Sequence, residues 1–84
     1  MNYKKIYKNL YEKARNRVIE KENTEVHHSI PKNLFNTKHK KILEDILQIS
    51  INDVDSEENL IRLSYREHYI AHLLLYNFLE KIIV

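Results

Sequence analysis

The sequence predicts an α+β fold in which short strands and helices alternate along the chain. Three observations carry that prediction. Apolar residues recur at helical spacing near the N-terminus. Two short stretches, around residues 24–28 and 59–63, have strand character. Ser64-Tyr65-Arg66-Glu67 then makes a capping box ahead of a long apolar segment. At 84 residues and 43% hydrophobic content, residues 1–84 are expected to form a single domain. A chain of this size buries only about 60–70% of the surface its unfolded form exposes, so a thin stability margin is expected.

The first helix is predicted over Tyr3 to Val18, within an N-terminal unit of residues 1–22. Tyr3, Ile6, Tyr7, Leu10, Tyr11 and Ala14 form one stripe, flanked by Lys4, Lys5, Lys8, Lys13 and Arg15. Tyrosines interleaved with lysines can stack on bases, but a helical aromatic stripe reads first as core. Thr24-Glu25-Val26-His27-His28 reads as a strand, closed by Ser29-Ile30-Pro31 in a segment spanning residues 24–31. Proline restrains Ile30 to extended geometry and removes a backbone donor, so the chain is expected to change direction there.

Residues 32–58 form an insert holding a second helix, Thr37 to Gln48, with Thr37 as cap and Ile42, Leu43, Ile46 and Leu47 as apolar face. Asn52 to Glu58 is acidic and turn-rich. It lacks the glycine and the spacing of an EF-hand calcium loop and reads as solvated. Residues 59–84 then supply a second strand, Asn59 to Leu63, and a last helix from Tyr65 to about Lys81. Ile70, Leu74 and Phe78 with Ala71, Leu75 and Ile82 make that helix apolar over more than one face, as a core helix or an oligomer contact.

Composition excludes several chemistries. The chain has no cysteine, so disulfides, thiolate metal sites and cysteine nucleophiles are absent. It has no glycine, which removes glycine-rich phosphate loops. No apolar run approaches the ~18 residues of a membrane span. The start, Met1-Asn2-Tyr3-Lys4-Lys5, lacks the apolar block of a signal peptide, so an intracellular protein without membrane contact is expected. The net charge is +2, but residues 1–41 carry eleven Lys/Arg against four acids and residues 42–84 carry three against eight. A basic half suits a phosphate-facing surface or a solvated helix face, and charge alone leaves both open.

Four of the five histidines fall into two groups. His68 and His72 are spaced i, i+4 on the last helix and project from one face, a geometry suited to one divalent metal. His27 and His28 are adjacent on a strand and so point to opposite faces, which lets one bind metal while the other handles a proton. His39, among lysines, has no partner at a telling spacing and reads as a solvated side chain.

Taken in order, His27-His28-Ser29-Ile30-Pro31, then Asn59-Leu60-Ile61-Arg62-Leu63-Ser64, then Arg66-Glu67-His68-Tyr69-Ile70-Ala71-His72 resemble the HNH endonuclease family. The pattern is similar to small free-standing bacteriophage HNH proteins, in which an HHxxP segment precedes NLxxLxxxEHxxxH. The resemblance implies a ββα-metal (His-Me finger) core, with the N-terminal basic helix and the helical insert added to it. It implies hydrolysis of DNA phosphodiester bonds, by nicking or cleavage, with weak intrinsic sequence specificity.

By position, His28 would be the general base and Asn59 would orient it. His27, His68 and His72 would hold one divalent metal ion, with Mg²⁺ the expected working ion and Zn²⁺, Ni²⁺ or Mn²⁺ as further candidates. Lys32 and Arg66 would contact the phosphate backbone, and a homodimer or a protein partner would add specificity. Phage relatives follow the proline with a short glycine-containing turn, whereas here the thirty residues 29–58 contain none. A DNA contact, an oligomer surface and plain surface elaboration all stay open for the insert. The alternative function is a non-catalytic, metal-stabilised module that binds nucleic acid or protein.

Overall fold

The computed structural model describes residues 1–79 and shows a small α+β protein with a two-stranded antiparallel sheet. The elements run α1 (Tyr3–Arg15), β1 (Thr24–His28), α2 (Lys38–Leu47), β2 (Leu60–Ser64) and α3 (Tyr65–Phe78). Short 3₁₀ turns at Lys32–Leu34 and Glu57–Asn59 bracket the insert.

Helix α1 starts where the Asn2 side chain accepts the Lys5 amide at 3.1 Å. It stops three residues short of the predicted Val18. Asn16 is the C-cap: its backbone N–H makes the last i→i−4 bond, to the Glu12 carbonyl, its side-chain amide joins the same oxygen, and its φ of −101° and ψ of 7° leave the helical range. Val18 is fully exposed, so no apolar contact rewards continuation. In α2, the Thr37 hydroxyl accepts the His39 amide as expected of a cap, and Gln48 closes the helix in the left-handed region at φ 59°. That conformation favours glycine, which this chain lacks.

His39 corrects one expectation. It is not solvated but 7% exposed, because the inward face of α2 is His39-Leu43-Leu47. Ile42, expected on that face, is 37% exposed.

The strands pair with Thr24 opposite Ser64 and His28 opposite Leu60, so the hairpin closes despite the insert. The Ser29 amide extends the ladder by donating to the Asn59 carbonyl at 2.8 Å. On β2, Ile61 and Leu63 face inward. On β1, the one buried residue is His27, directly opposite Ile61. The core gathers Tyr7 and Tyr11 of α1, Leu43 and Leu47 of α2, those two β2 residues, and Ala71, Leu74 and Leu75 of α3. Ile30, Leu34 and Ile51 join from the connections, so the insert packs into the core. The predicted end of the last helix at Lys81, and the apolar contribution of Ile82, lie outside the described residues.

The capping box forms as predicted: Ser64 Oγ accepts from the Glu67 amide, and Glu67 Oε1 accepts from the Ser64 amide. The same carboxylate receives both Arg17 nitrogens, at 2.9 and 2.6 Å, and Lys13 at 3.3 Å. Arg17 also donates to the Arg62 carbonyl at 3.1 Å, which ties the segment after α1 to the sheet.

The Arg17 hydrogen bonds, helped by the Ser64 amide and Lys13 and opposed by desolvation, hold the Glu67 carboxyl at about 2, below its ordinary 4.5. A depressed carboxylate pKa stabilises the fold above about pH 4.5, and that stability is lost as pH falls toward 2. Urea unfolding should therefore show an acid-side loss that shrinks in Glu67→Gln. At neutral pH, Ser64→Ala should cost about 1 kcal/mol.

Candidate functional site

His27 leaves β1 on the face packed against the helices, and α3 presents His68 and His72 from successive turns of one face. The structure brings these three together: one ligand atom from each lies within 4.8 Å of the others. The His27 ring sits 5.1 Å, centroid to centroid, from each of the other two, which are 4.8 Å apart.

His27 is 2% exposed. Burial, reinforced by His72, His68 and His28, pushes its pKa from 6.5 to about 3. At neutral pH its ring is therefore uncharged and can donate a lone pair. Its Nε2 lies 2.8 Å from the hydroxyl of Tyr7, which donates to the Ser29 carbonyl at 2.7 Å. Burial raises the Tyr7 pKa far above its ordinary 10, so this hydroxyl keeps its proton.

His68 Nδ1 faces the Glu25 carboxylate at 3.0 Å, while its Nε2 faces His72 Nε2 at 3.1 Å. Two bare lone pairs repel at that distance, so a proton or a cation must lie between them. Three imidazole nitrogens converging with an outer carboxylate fit a divalent ion bound by nitrogen.

His28 is the last residue of β1. Its Nε2 lies 2.9 Å from Asp55 Oδ1, in the acidic loop of the insert. The His28 hydrogen bond, with the Lys32 charge nearby and desolvation opposing, holds the Asp55 carboxyl below the usual carboxylate range. Asp55 gave no signal in the sequence beyond its place in a turn-rich loop.

The Asn59 side chain hydrogen-bonds backbone and not the His28 ring. Its Oδ1 accepts the Ile30 amide at 2.7 Å, and its Nδ2 donates to the Ile30 carbonyl at 3.0 Å and the Val54 carbonyl at 2.8 Å. It thus clamps the backbone just after His28 to the backbone just before Asp55. The Asn59 carbonyl also accepts the Ser29 amide, next to His28, so Asn59 bears on His28 through the backbone that follows it as well as through Val54.

A depression of about 380 Å³ is lined by His27, His28, His68 and His72 together with Lys32 and Asn33. Lys32 thus stands beside the histidines. Arg66 is exposed in the first turn of α3 and does not line the depression. It sits two residues, about 200° of helix rotation, from His68. Several cations around α1 are engaged within the protein: Lys8 with Gln48, Lys13 and Arg17 with Glu67, and Arg15 with the Glu57 carbonyl. No described helix is long and apolar enough to cross a membrane.

Asn59 is fully buried, so truncating it orphans groups that water cannot reach. Asn59→Ala should destabilise the fold by about 1–3 kcal/mol for each group left unpaired. Asn59→Asp should also destabilise, because a carboxylate cannot donate to the Ile30 and Val54 carbonyls. Unfolding free energies from urea titration within about 0.5 kcal/mol of the parent for both variants would contradict the clamp.

No family model matches the chain, and no solved structure matches it. Two phage proteins do. The chain is 36% identical over 75 residues to "Probable mobile endonuclease E" of Enterobacteria phage T4, covering 89% of this chain and 41% of that protein. It is 37% identical over 79 residues to "Probable mobile endonuclease D" of the same phage, covering 89% of this chain and 24% of that protein. The chain therefore spans less than half the length of either relative. Its similarity is to part of two proteins that carry the name of mobile endonucleases.

Proposed function

We propose that this chain is a metal-dependent DNA endonuclease of the HNH type, built on a ββα-metal finger formed by β1, β2 and α3. The observation that carries the reading is the single depression in which the His27-His68-His72 cluster, His28 and Lys32 meet. The naming of both relatives as endonucleases supports the same chemistry.

His27, His68 and His72 would hold one divalent ion. Three imidazoles suit Zn²⁺ or Ni²⁺ better than Mg²⁺, which takes oxygen ligands. When bound, such an ion supplies positive charge that stabilises the phosphoryl oxygens and the departing 3′-oxygen.

The residues of the chain do the rest. Asp55 accepts the Nε2 proton of His28, which leaves Nδ1 to take a proton from the attacking water. Asn59 acts on this pair at one remove, through Ser29, Ile30 and Val54. Lys32 places a cation at the rim for a backbone phosphate, while Arg66 serves DNA outside the depression. Contacts of this kind read phosphate rather than base edges, so weak sequence specificity follows, with a second copy or a protein partner adding more.

The test is cleavage of supercoiled plasmid by chelator-stripped protein given Zn²⁺, Ni²⁺, Mn²⁺ or Mg²⁺ in turn. Metal-dependent nicking is expected, and His28→Ala should lower its rate at least about a hundredfold while keeping metal affinity. Protein that binds both metal and DNA but cuts with no metal would instead favour a non-catalytic, metal-stabilised binding module. Cleavage undiminished in His28→Ala would overturn the assignment of the base.

A further inference from the structure

We propose that Tyr7, on the N-terminal helix, is a positioning residue of the metal site: its hydroxyl holds His27 in the Nε2–H tautomer and makes Nδ1 the atom His27 offers to a metal. This rests on the reading of His27, His68 and His72 as ligands.

The argument is a count of protons. The Tyr7 oxygen is 2.7 Å from the Ser29 carbonyl and 2.8 Å from His27 Nε2. A carbonyl only accepts, so the one hydroxyl proton belongs on the Ser29 side; otherwise two oxygens would face each other bare at 2.7 Å. The phenol oxygen is then the acceptor toward His27, and Nε2 must carry a hydrogen. A neutral imidazole has one N–H, so the lone pair is on Nδ1. Water does not compete, since Tyr7, His27 and Ser29 are 1%, 2% and 0% exposed.

His68 receives the opposite instruction. The Glu25 carboxylate, 3.0 Å from its Nδ1, takes that N–H and leaves the lone pair on Nε2. The cluster is therefore asymmetric, with Nδ1 from the strand histidine and Nε2 from His68. A partner that fixes the tautomer of a ligating histidine is worth about ten- to a hundredfold in metal affinity. Here that partner stands on α1, outside the strand-strand-helix unit, which makes the N-terminal helix part of the site's scaffold.

The experiment uses the ¹⁵N-labelled full chain at neutral pH, stripped of metal with chelator, and records long-range imidazole ¹H–¹⁵N correlations before and after Zn²⁺. His27 should show a protonated Nε2 and an unprotonated Nδ1, and Zn²⁺ should move His27 Nδ1 and His68 Nε2. Tyr7→Phe keeps the ring, which packs 5.6 Å from Phe78 and 6.2 Å from His27, and removes only the oxygen. It should keep its circular dichroism, show a mixed His27 tautomer and bind Zn²⁺ about ten- to a hundredfold more weakly.

An unprotonated Nε2 in the parent overturns the proposal even if Tyr7→Phe fails to fold. So does a folded Tyr7→Phe that binds Zn²⁺ within twofold of the parent. The expected tautomer with no Zn²⁺ shift at any histidine would instead sink the metal reading, and with it the role of Tyr7 toward a metal.

Discussion

The carboxamide of Asn59 uses its oxygen and both of its hydrogens at once, on the amide and carbonyl of Ile30 and on the carbonyl of Val54. It is fully buried, where a satisfied amide is rigid and an unsatisfied one is costly. The three bonds join points on either side of a long connection, one just past His28 and one just before Asp55. The exit of β1, the entry to β2 and the approach of the acidic loop to His28 all depend on that clamp. A side chain with one polar function could not do this, since the site needs an acceptor and two donors in one plane.

A second constraint holds the helices against the sheet. Glu67 closes the capping box of α3 and at the same time receives Arg17 and Lys13, so one carboxylate sets where α3 begins and where the chain after α1 lies. With α1 held there, Tyr7 reaches across to His27 and Tyr11 donates to the Glu58 carbonyl at 2.6 Å, one residue before Asn59. The first helix thus touches the exit of β1 and the approach to β2, at one end of the hairpin, through phenol oxygens, while its rings fill the core. Packing and polar positioning are done by the same side chains, which is economical in a chain with so little interior.

What was legible in the sequence follows from how local each signal is. The capping box, the Thr37 cap and the i, i+4 histidines lie within one helical turn, and the structure shows both caps and the convergence of His68 and His72 with His27. The end of α1 was not legible: Arg17 is drawn onto Glu67, fifty positions along the chain, and no residue near Asn16 marks that pull. His39 was misread because its lysine neighbours suggested solvent, whereas the helix turns it inward with Leu43 and Leu47. Asp55 and Tyr7 carry no local mark of their contacts with His28 and His27. Asp55 sits in a loop that reads as solvated, and Tyr7 in a stripe that reads as core, which it also is.

Closing the hairpin across the insert has a kinetic consequence. Thr24 pairs with Ser64 and His28 with Leu60, partners forty and thirty-two positions apart, so no tight turn can nucleate the ladder. The chain must bring distant strands together before any ladder bond forms, and the ordering entropy of that loop is met before its contacts return anything. A helix inside the loop shortens the effective search, since α2 folds ten of those residues locally. Two of the four histidines that line the depression arrive on β1 and two on α3, just after β2. The site is thus assembled at the step that commits the chain to its topology, and a partly folded molecule would hold only half of it.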